Sequence, residues 1–173
     1  MEVLEAMKKR RPVKKFKRVP IPDDRLNMIL GAMRLAPSAA NMQPWRFVVV
    51  RDDSMKQKLA SACQNQKYLA DAPVLVAGCA TIAEAYPYLG MYMSAYSLDL
   101  GSALAHGLLA ACHEGVGAQF VFQFHNEKVQ ELLGIPIGDV NVLFILALGY
   151  SEEESEPDGR KNLSEIVSYE KFQ

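Results

Sequence analysis

The sequence predicts a single domain of mixed α+β or α/β sandwich type, with helices packed on a sheet. Three features lead there. Apolar runs at 47–50, 74–77 and 142–148 have the length and composition of buried strands. Stretches of helical periodicity alternate with them, the longest at 92–114. The 173 residues, half of them hydrophobic, can build one sizeable core and show no internal repeat.

In chain order, Val3, Leu4 and Met7 give a short first helix that runs into a basic cluster and ends before Pro12. The segment 19–22 is extended. Asp23 or Asp24 is placed to cap a second helix with the stripe Leu26, Ile29, Leu30 and Met33. It stops near 36–37, where a polar loop with small side chains, PSAANMQPWR (37–46), begins. The run 47–50 reads as a central strand. A turn at 51–53 leads into a helix carrying Met55, Leu59 and Ala62, and Pro73 precedes the second strand. The 92–114 helix is apolar on more than one side, so it needs cover from its own domain and from a neighbour. Gly115 and Gly117 end it. Phe120, Phe122 and Phe124 alternate as in a strand, 128–133 forms a short helix, and 142–148 forms the last central strand. In the tail, Leu163, Ile166 and Val167 are available as anchors.

The formal net charge of −1 gives no overall field for nucleic acid. The charge is uneven: eight Lys and Arg residues crowd 8–18 with no acid among them, and EEESE fills 152–156. Cys63, Cys79 and Cys112 match no zinc or iron–sulfur spacing and read as free thiols of a reducing compartment. The early charges do not suit a signal peptide, and no apolar run is long enough to span a bilayer, so a cytoplasmic protein is expected. His106 and His113 can share a helix face but lack carboxylate partners for a metal. There is no GxGxxG after a strand, no P-loop and no GxSxG elbow.

Four polar groups stand out. Arg10, Arg11 and Lys14 are either a solvated helix end or an anion clamp. Ser38, Asn41 and Gln43 lie between rigid prolines, where amides can pair with the edge of a heterocycle. Trp45, beside them, suits the core better than cofactor stacking. Asn65-Gln66 precedes the second strand, and Arg160-Lys161 is a second basic pair in the tail. With no evident side-chain nucleophile, a bound cofactor is the natural carrier of any hard chemistry.

Two blocks resemble the nitroreductase family: RRPVKKF (10–16), similar to the family's opening Arg-Arg-Ser segment, and APSAANMQPWRFVVV (36–50), close to its Ala-Pro-Ser-x-x-Asn-x-Gln-Pro-Trp-x-Phe block. Weaker matches at 65–73, 113–117, 133–150 and 159–167 extend the likeness over nearly the whole chain. The resemblance implies an α+β fold with a mostly antiparallel central sheet flanked by helices and a long dimer-interface helix. It implies one domain, 1–173, with 151–173 as an extension wrapping on the partner subunit. It further implies a homodimer with FMN at the interface, and NAD(P)H as donor. Nitroaromatic, quinone or similar conjugated acceptors would then be reduced by ping-pong hydride transfer. Arg10, Arg11 and Lys14 match residues that hold the phosphate and the polar edge of the flavin. Pro12 stands where Ser is common, leaving its backbone carbonyl and ring for contact. Ser38, Asn41 and Gln43 match residues supplied by the other subunit, Asn65 matches the amide at the pyrimidine edge, and Arg160 and Lys161 match a basic pair that returns to the phosphate. The chain departs from the family at Ser151, where proline is usual. It also departs at the closing aromatic, here Tyr169 or Phe172, and at 115–120, where Thr-x-Trp is missing. The missing Thr-x-Trp and a short lid region favour a rival reading, a non-enzymatic flavin-binding sensor or storage protein.

Overall fold

The computed structural model describes residues 2–153 and 159–172; the acidic run 152–156 lies mostly outside them. Five strands form one antiparallel sheet: β1 (Phe16–Lys17), β2 (Trp45–Val50), β3 (Val74–Thr81), β4 (Gly117–Val121) and β5 (Val140–Ser151). The order is β2-β3-β5, and β4 and β1 follow one another along the far edge of β5. Helices α1 (Val3–Lys9), α2 (Asp23–Arg34) and α5 (Tyr96–His113) lie on one side; α3 (Asp53–Ala62), α4 (Tyr68–Asp71) and α6 (Asn126–Leu133) lie on the other.

The two-residue period of a strand explains the two cores. On β3, Val74, Val76 and Ala80 face α2 and α5, while Leu75, Ala77 and Cys79 face α3 and α6. On β5, Phe144, Leu146 and Leu148 take the first side, and Val142, Ile145 and Ala147 the second. A strand buried on both faces must be apolar throughout, and β3 is. The register of β3 on β5 slips between Gly78 and Cys79. There the Phe144 ring lies over Gly78: a Cβ built on Gly78 would stand 2.1 Å from Phe144 Cζ.

Several sequence expectations are corrected. The 47–50 run belongs to β2, an edge strand paired only with β3 among the described residues; Val50 is buried, Phe47 and Val48 are half-buried and Val49 is exposed. Asp23 and Asp24 do not cap α2. Pro22 is the N-cap, and Asp23 instead pairs with Arg51 at 2.5 Å. The long helix begins at Tyr96, because residues 89–93 fold back in a tight bridge between Leu89 and Met93. Strand β4 ends at Val121, so Phe122 and Phe124 lie beyond it and Phe122 is exposed. The first helix forms, but only Ala6 is buried, and Val3, Leu4 and Met7 point outward. Leu163, Ile166 and Val167 are exposed on this chain and do not anchor the tail to it.

Other expectations hold. Trp45 is buried in the α2–α5 core. Asp52 caps α3 by accepting from Met55 N at 2.8 Å. Helix α6 ends at Gly134, whose φ of 64° is the left-handed conformation of a helix C-terminus.

Candidate functional site

At the end of α1 the chain turns out at Arg10, and Pro12 forms a parallel bridge with Ala118 at the start of β4. Val13 N donates to Ala118 O at 3.3 Å. This lays the basic segment across the C-terminal end of α5. The result is a cleft of about 250 Å³, walled by Arg10, Arg11, Leu108, Cys112 and Gly117 and closed by Glu153.

The cations of this cleft differ in what holds them. Arg11 Nη1 donates to Lys8 O at 2.6 Å and to Arg10 O at 2.8 Å, which fixes its guanidinium. Its Nε is buried with no partner among the described residues. A buried donor left unpaired is costly, and an anion in the cleft would satisfy it. Lys9 is paired with Glu5 at 2.7 Å, and Lys15 with Glu153. Those carboxylates hold both ammonium pKa values above their usual range, chiefly by hydrogen bonding. Arg10 and Lys14 carry no ion pair to any described residue. The bare charge of the cleft therefore sits at Arg10, with Arg11 held beside it, while Lys14 does not line the cleft.

Ser38, Asn41 and Gln43 lie in a turn around the short 3-10 helix Ala39–Asn41. Ala40, Asn41 and Gln43 all have positive φ, at 49°, 58° and 51°. Non-glycine residues seldom adopt this conformation, and such strain collects at ligand sites. Gln43 N donates to Ser38 Oγ at 3.0 Å, and Gln43 Nε2 reaches Asn41 O and Oδ1 at 3.1 and 3.2 Å. Asn41 and Gln43 are exposed.

One residue of this region escaped the sequence reading. Asp99, only 2% exposed, accepts from Ala39 N at 2.9 Å through Oδ1, and its Oδ2 is buried without a partner among the described residues. The available signal was its isolation as the single acid of the apolar helix α5.

The turn and the cleft do not meet in one chain. The turn is tied to Asp99 near the start of α5, and the cleft reaches Cys112 near its end. At 1.5 Å per residue, about 20 Å of helix separates those two anchors. Asn65 is elsewhere again, exposed and at φ 57°, in the loop before α4. That loop is bound to β4 through Tyr68, whose hydroxyl donates to Gln66 Oε1 and lies beside Gln119. Burial raises the Tyr68 pKa, with the Gln119 hydrogen bond acting against it. Arg160 and Lys161 are exposed in the tail and do not line the cleft; Arg160 Nη1 donates to Gly159 O at 2.8 Å.

Other features offer less chemistry. A larger hollow, about 360 Å³, opens at the start of β3, but its cations are already matched. Arg18 pairs with Asp71 at 2.8 Å, Arg51 with Asp23, and Lys56 with Asp53 at 2.9 Å. Burial pushes the thiol pKa of Cys63 to about 12 and that of Cys79 to about 11, so both are inert near neutrality. His106 and His113 line one apolar hollow between α5, α1 and α2. No helix among the described residues is long and apolar enough to cross a membrane.

An antiparallel sheet between helical layers, with a basic cleft and a strained amide-bearing turn near opposite ends of one long helix, defines an α+β protein with two separated candidate half-sites. Comparison with known proteins narrows the class. The profile of the Nitroreductase family matches residues 7–150, and the chain belongs to that family. It is 30% identical to an NADH dehydrogenase of Thermus thermophilus, over 96% of this chain and 95% of that one. A solved nitroreductase family protein from Clostridium novyi NT superposes with a TM-score of 0.83 at 30% identity, covering 88% of this chain and 87% of the other. The NADPH:FMN oxidoreductase of Vibrio harveyi, solved with NAD+, superposes with a TM-score of 0.90 at 25% identity, covering 99% of this chain and 78% of its own.

Proposed function

We propose that the protein is an FMN-dependent oxidoreductase that draws electrons from NAD(P)H and passes them to nitroaromatic, quinone or similar conjugated acceptors. We propose that it works as a homodimer in which each site is completed by two chains. The observation that carries this reading is the separation along α5. One chain holds an anion cleft at one end of the helix and a polar, strained turn at the other, so each end is half a site. A second chain packed on α5 in the opposite sense brings the turn of each to the cleft of the other, as a two-fold axis requires.

The surface supports the pairing. Val3 is 63% exposed, and Leu4, Met7, Met28, Leu35 and Leu98 are also open on the helices of that side. Apolar surface of this kind marks an interaction face. The tail, 151–173, would wrap on the second chain, which accounts for the exposure of Leu163, Ile166, Val167 and Tyr169 here.

The residues fit FMN. Arg10, Arg11 and Lys14 would hold the phosphate and the polar edge of the ring, and the unpaired Arg11 Nε is the donor such an anion needs. Pro12, held beside Ala118, would offer its carbonyl and ring. Asn65 would read the pyrimidine edge. Ser38, Asn41 and Gln43 would come from the second chain, and Arg160 and Lys161 would return with the tail to the phosphate. When bound, FMN supplies hydride chemistry, taking electrons from one substrate and giving them to the next in ping-pong order. The chain's part is to hold, orient and shield; no side-chain nucleophile is needed.

Anaerobic mixing with NADH and NADPH should bleach the flavin absorbance, and a quinone or nitroaromatic should restore it. In the steady state, double-reciprocal plots should be parallel. A purified protein that binds FMN but is reduced by dithionite and by neither nicotinamide would overturn the enzyme reading in favour of a binding protein.

A further inference from the structure

We propose that Asp99 is the positioning residue of the flavin-facing turn, an inference that rests on the flavin reading above. Its carboxylate, fixed on α5, holds residues 38–43 in the shape that offers Ser38, Asn41 and Gln43 to the cofactor.

The hydrogen bonds of the turn carry the argument. Gln43 N reaches Ser38 Oγ, Asn41 N reaches Ser38 O at 3.0 Å, Met42 N reaches Ala39 O at 3.1 Å, and the Gln43 amide reaches Asn41. All of these close within the turn. They shape it but do not orient it on the protein. Among the described residues, the bond from Ala39 N to Asp99 Oδ1 is the one hydrogen bond that ties residues 38–43 to another element. It spans 60 positions of sequence and ends on a helix packed against the sheet. With Ala40, Asn41 and Gln43 in a disfavoured conformation, the turn needs an outside anchor to keep it.

The second oxygen shows what the residue is for. Asp99 Oδ2 is buried with no partner among the described residues, and the flanking Leu100 of α5 and, one turn away on either side, Ala95 and Ala103 are buried too. An apolar side chain of similar volume would suit that wall of the core better. Asp99 therefore gives the fold little and the turn, among the described residues, its one hydrogen-bond anchor on another element. Stability and cofactor binding should respond to its replacement in opposite senses.

Three variants test this against the wild-type protein by FMN titration, visible circular dichroism of the bound flavin, and thermal melting. Asp99→Asn keeps an acceptor for Ala39 N–H and should bind FMN within about twofold of wild type. Asp99→Leu removes the acceptor. It should raise the Kd for FMN at least tenfold, about 1.4 kcal/mol, and change the flavin dichroism without lowering Tm. Ala39→Pro removes the donor from the other side of the same bond and leaves the core untouched. Ser38 is extended, at φ −139° and ψ 153°, and tolerates a following proline. It should reproduce the loss, and it carries the test if Asp99→Leu fails to fold.

A merely structural role would lower Tm in Asp99→Leu and leave Kd and dichroism unchanged, which would overturn the proposal. So would an Asp99→Asn protein as impaired as Asp99→Leu, since the charge and not the acceptor would then matter. Wild-type protein that takes up no FMN would end the flavin reading and this inference together. Wild-type binding with unaltered Asp99→Leu and Ala39→Pro would end this one alone.

Discussion

Arg11 is already braced by two backbone carbonyls before any ligand arrives, so its fork is aimed in advance and loses little freedom on binding. That makes it the sharpest residue-scale test of the phosphate clamp. Arg11→Ala should weaken FMN by about 1.5–3 kcal/mol, the worth of a charge-assisted hydrogen bond, and should leave riboflavin nearly unaffected, because riboflavin has no phosphate. Parallel titrations with the two flavins check it; equal losses would move Arg11 out of the clamp. The basic segment and the amide turn were legible in the sequence because each is a local cluster of unusual residues. Asp99 was not, because its meaning comes from Ala39, brought to it only by the packing of α2 and α5. The pairing of Lys15 with Glu153, 138 positions away, was hidden for the same reason, whereas the Lys9–Glu5 pair is local to α1.

At the scale of elements, the pair β3–β5 depends on a glycine. Phe144 occupies the space where a Cβ of residue 78 would stand, beside the register slip. Gly78→Ala should therefore push the ring aside and cost about 1–3 kcal/mol, as overpacking does. In a domain of this size that is a fall in Tm of several degrees, readable by calorimetry. An unchanged Tm would mean that the Phe144 ring has room to move. Helices with one clear apolar stripe, such as α2 and α3, were legible because periodicity fixes both their type and their buried face. Strand position was not. The run at 47–50 and the run at 142–148 look alike in composition, yet one lies at the edge and the other at the centre, since pairing partners are set by topology. Alternating phenylalanines suggested a strand through 124, but β4 has partners only as far as Val121. The spacing of Val3, Leu4 and Met7 gave the first helix correctly, and on this chain those side chains face outward.

For the molecule as a whole, the exposed tail is the feature that a second chain has to explain. Deleting residues 159–173 removes side chains that this chain does not bury, so the sheet and its helices should stay folded while dimer stability and FMN affinity both fall. Analytical ultracentrifugation with a flavin titration checks this; a truncated protein that dimerises and binds FMN as before would show that the tail has no such part. The sheet order has a different consequence, for the timing of synthesis. Strand β5 pairs with β3, β4 and β1, and among the described residues no other strand joins β4 and β1 to the β2–β3 pair. It is also the last strand to be made. A nascent chain that has emerged from the ribosome as far as residue 139 holds α1 to α6 and four strands without the one that binds them into a sheet. The nascent chain should then be cut by a protease as readily as an unfolded one, and become resistant only after residue 151 has emerged. Resistance in chains arrested before β5 would show that the helices alone can hold a core. Otherwise the apolar faces of the helices and of β3 wait uncovered until one late strand arrives, and a chain in that state is open to aggregation.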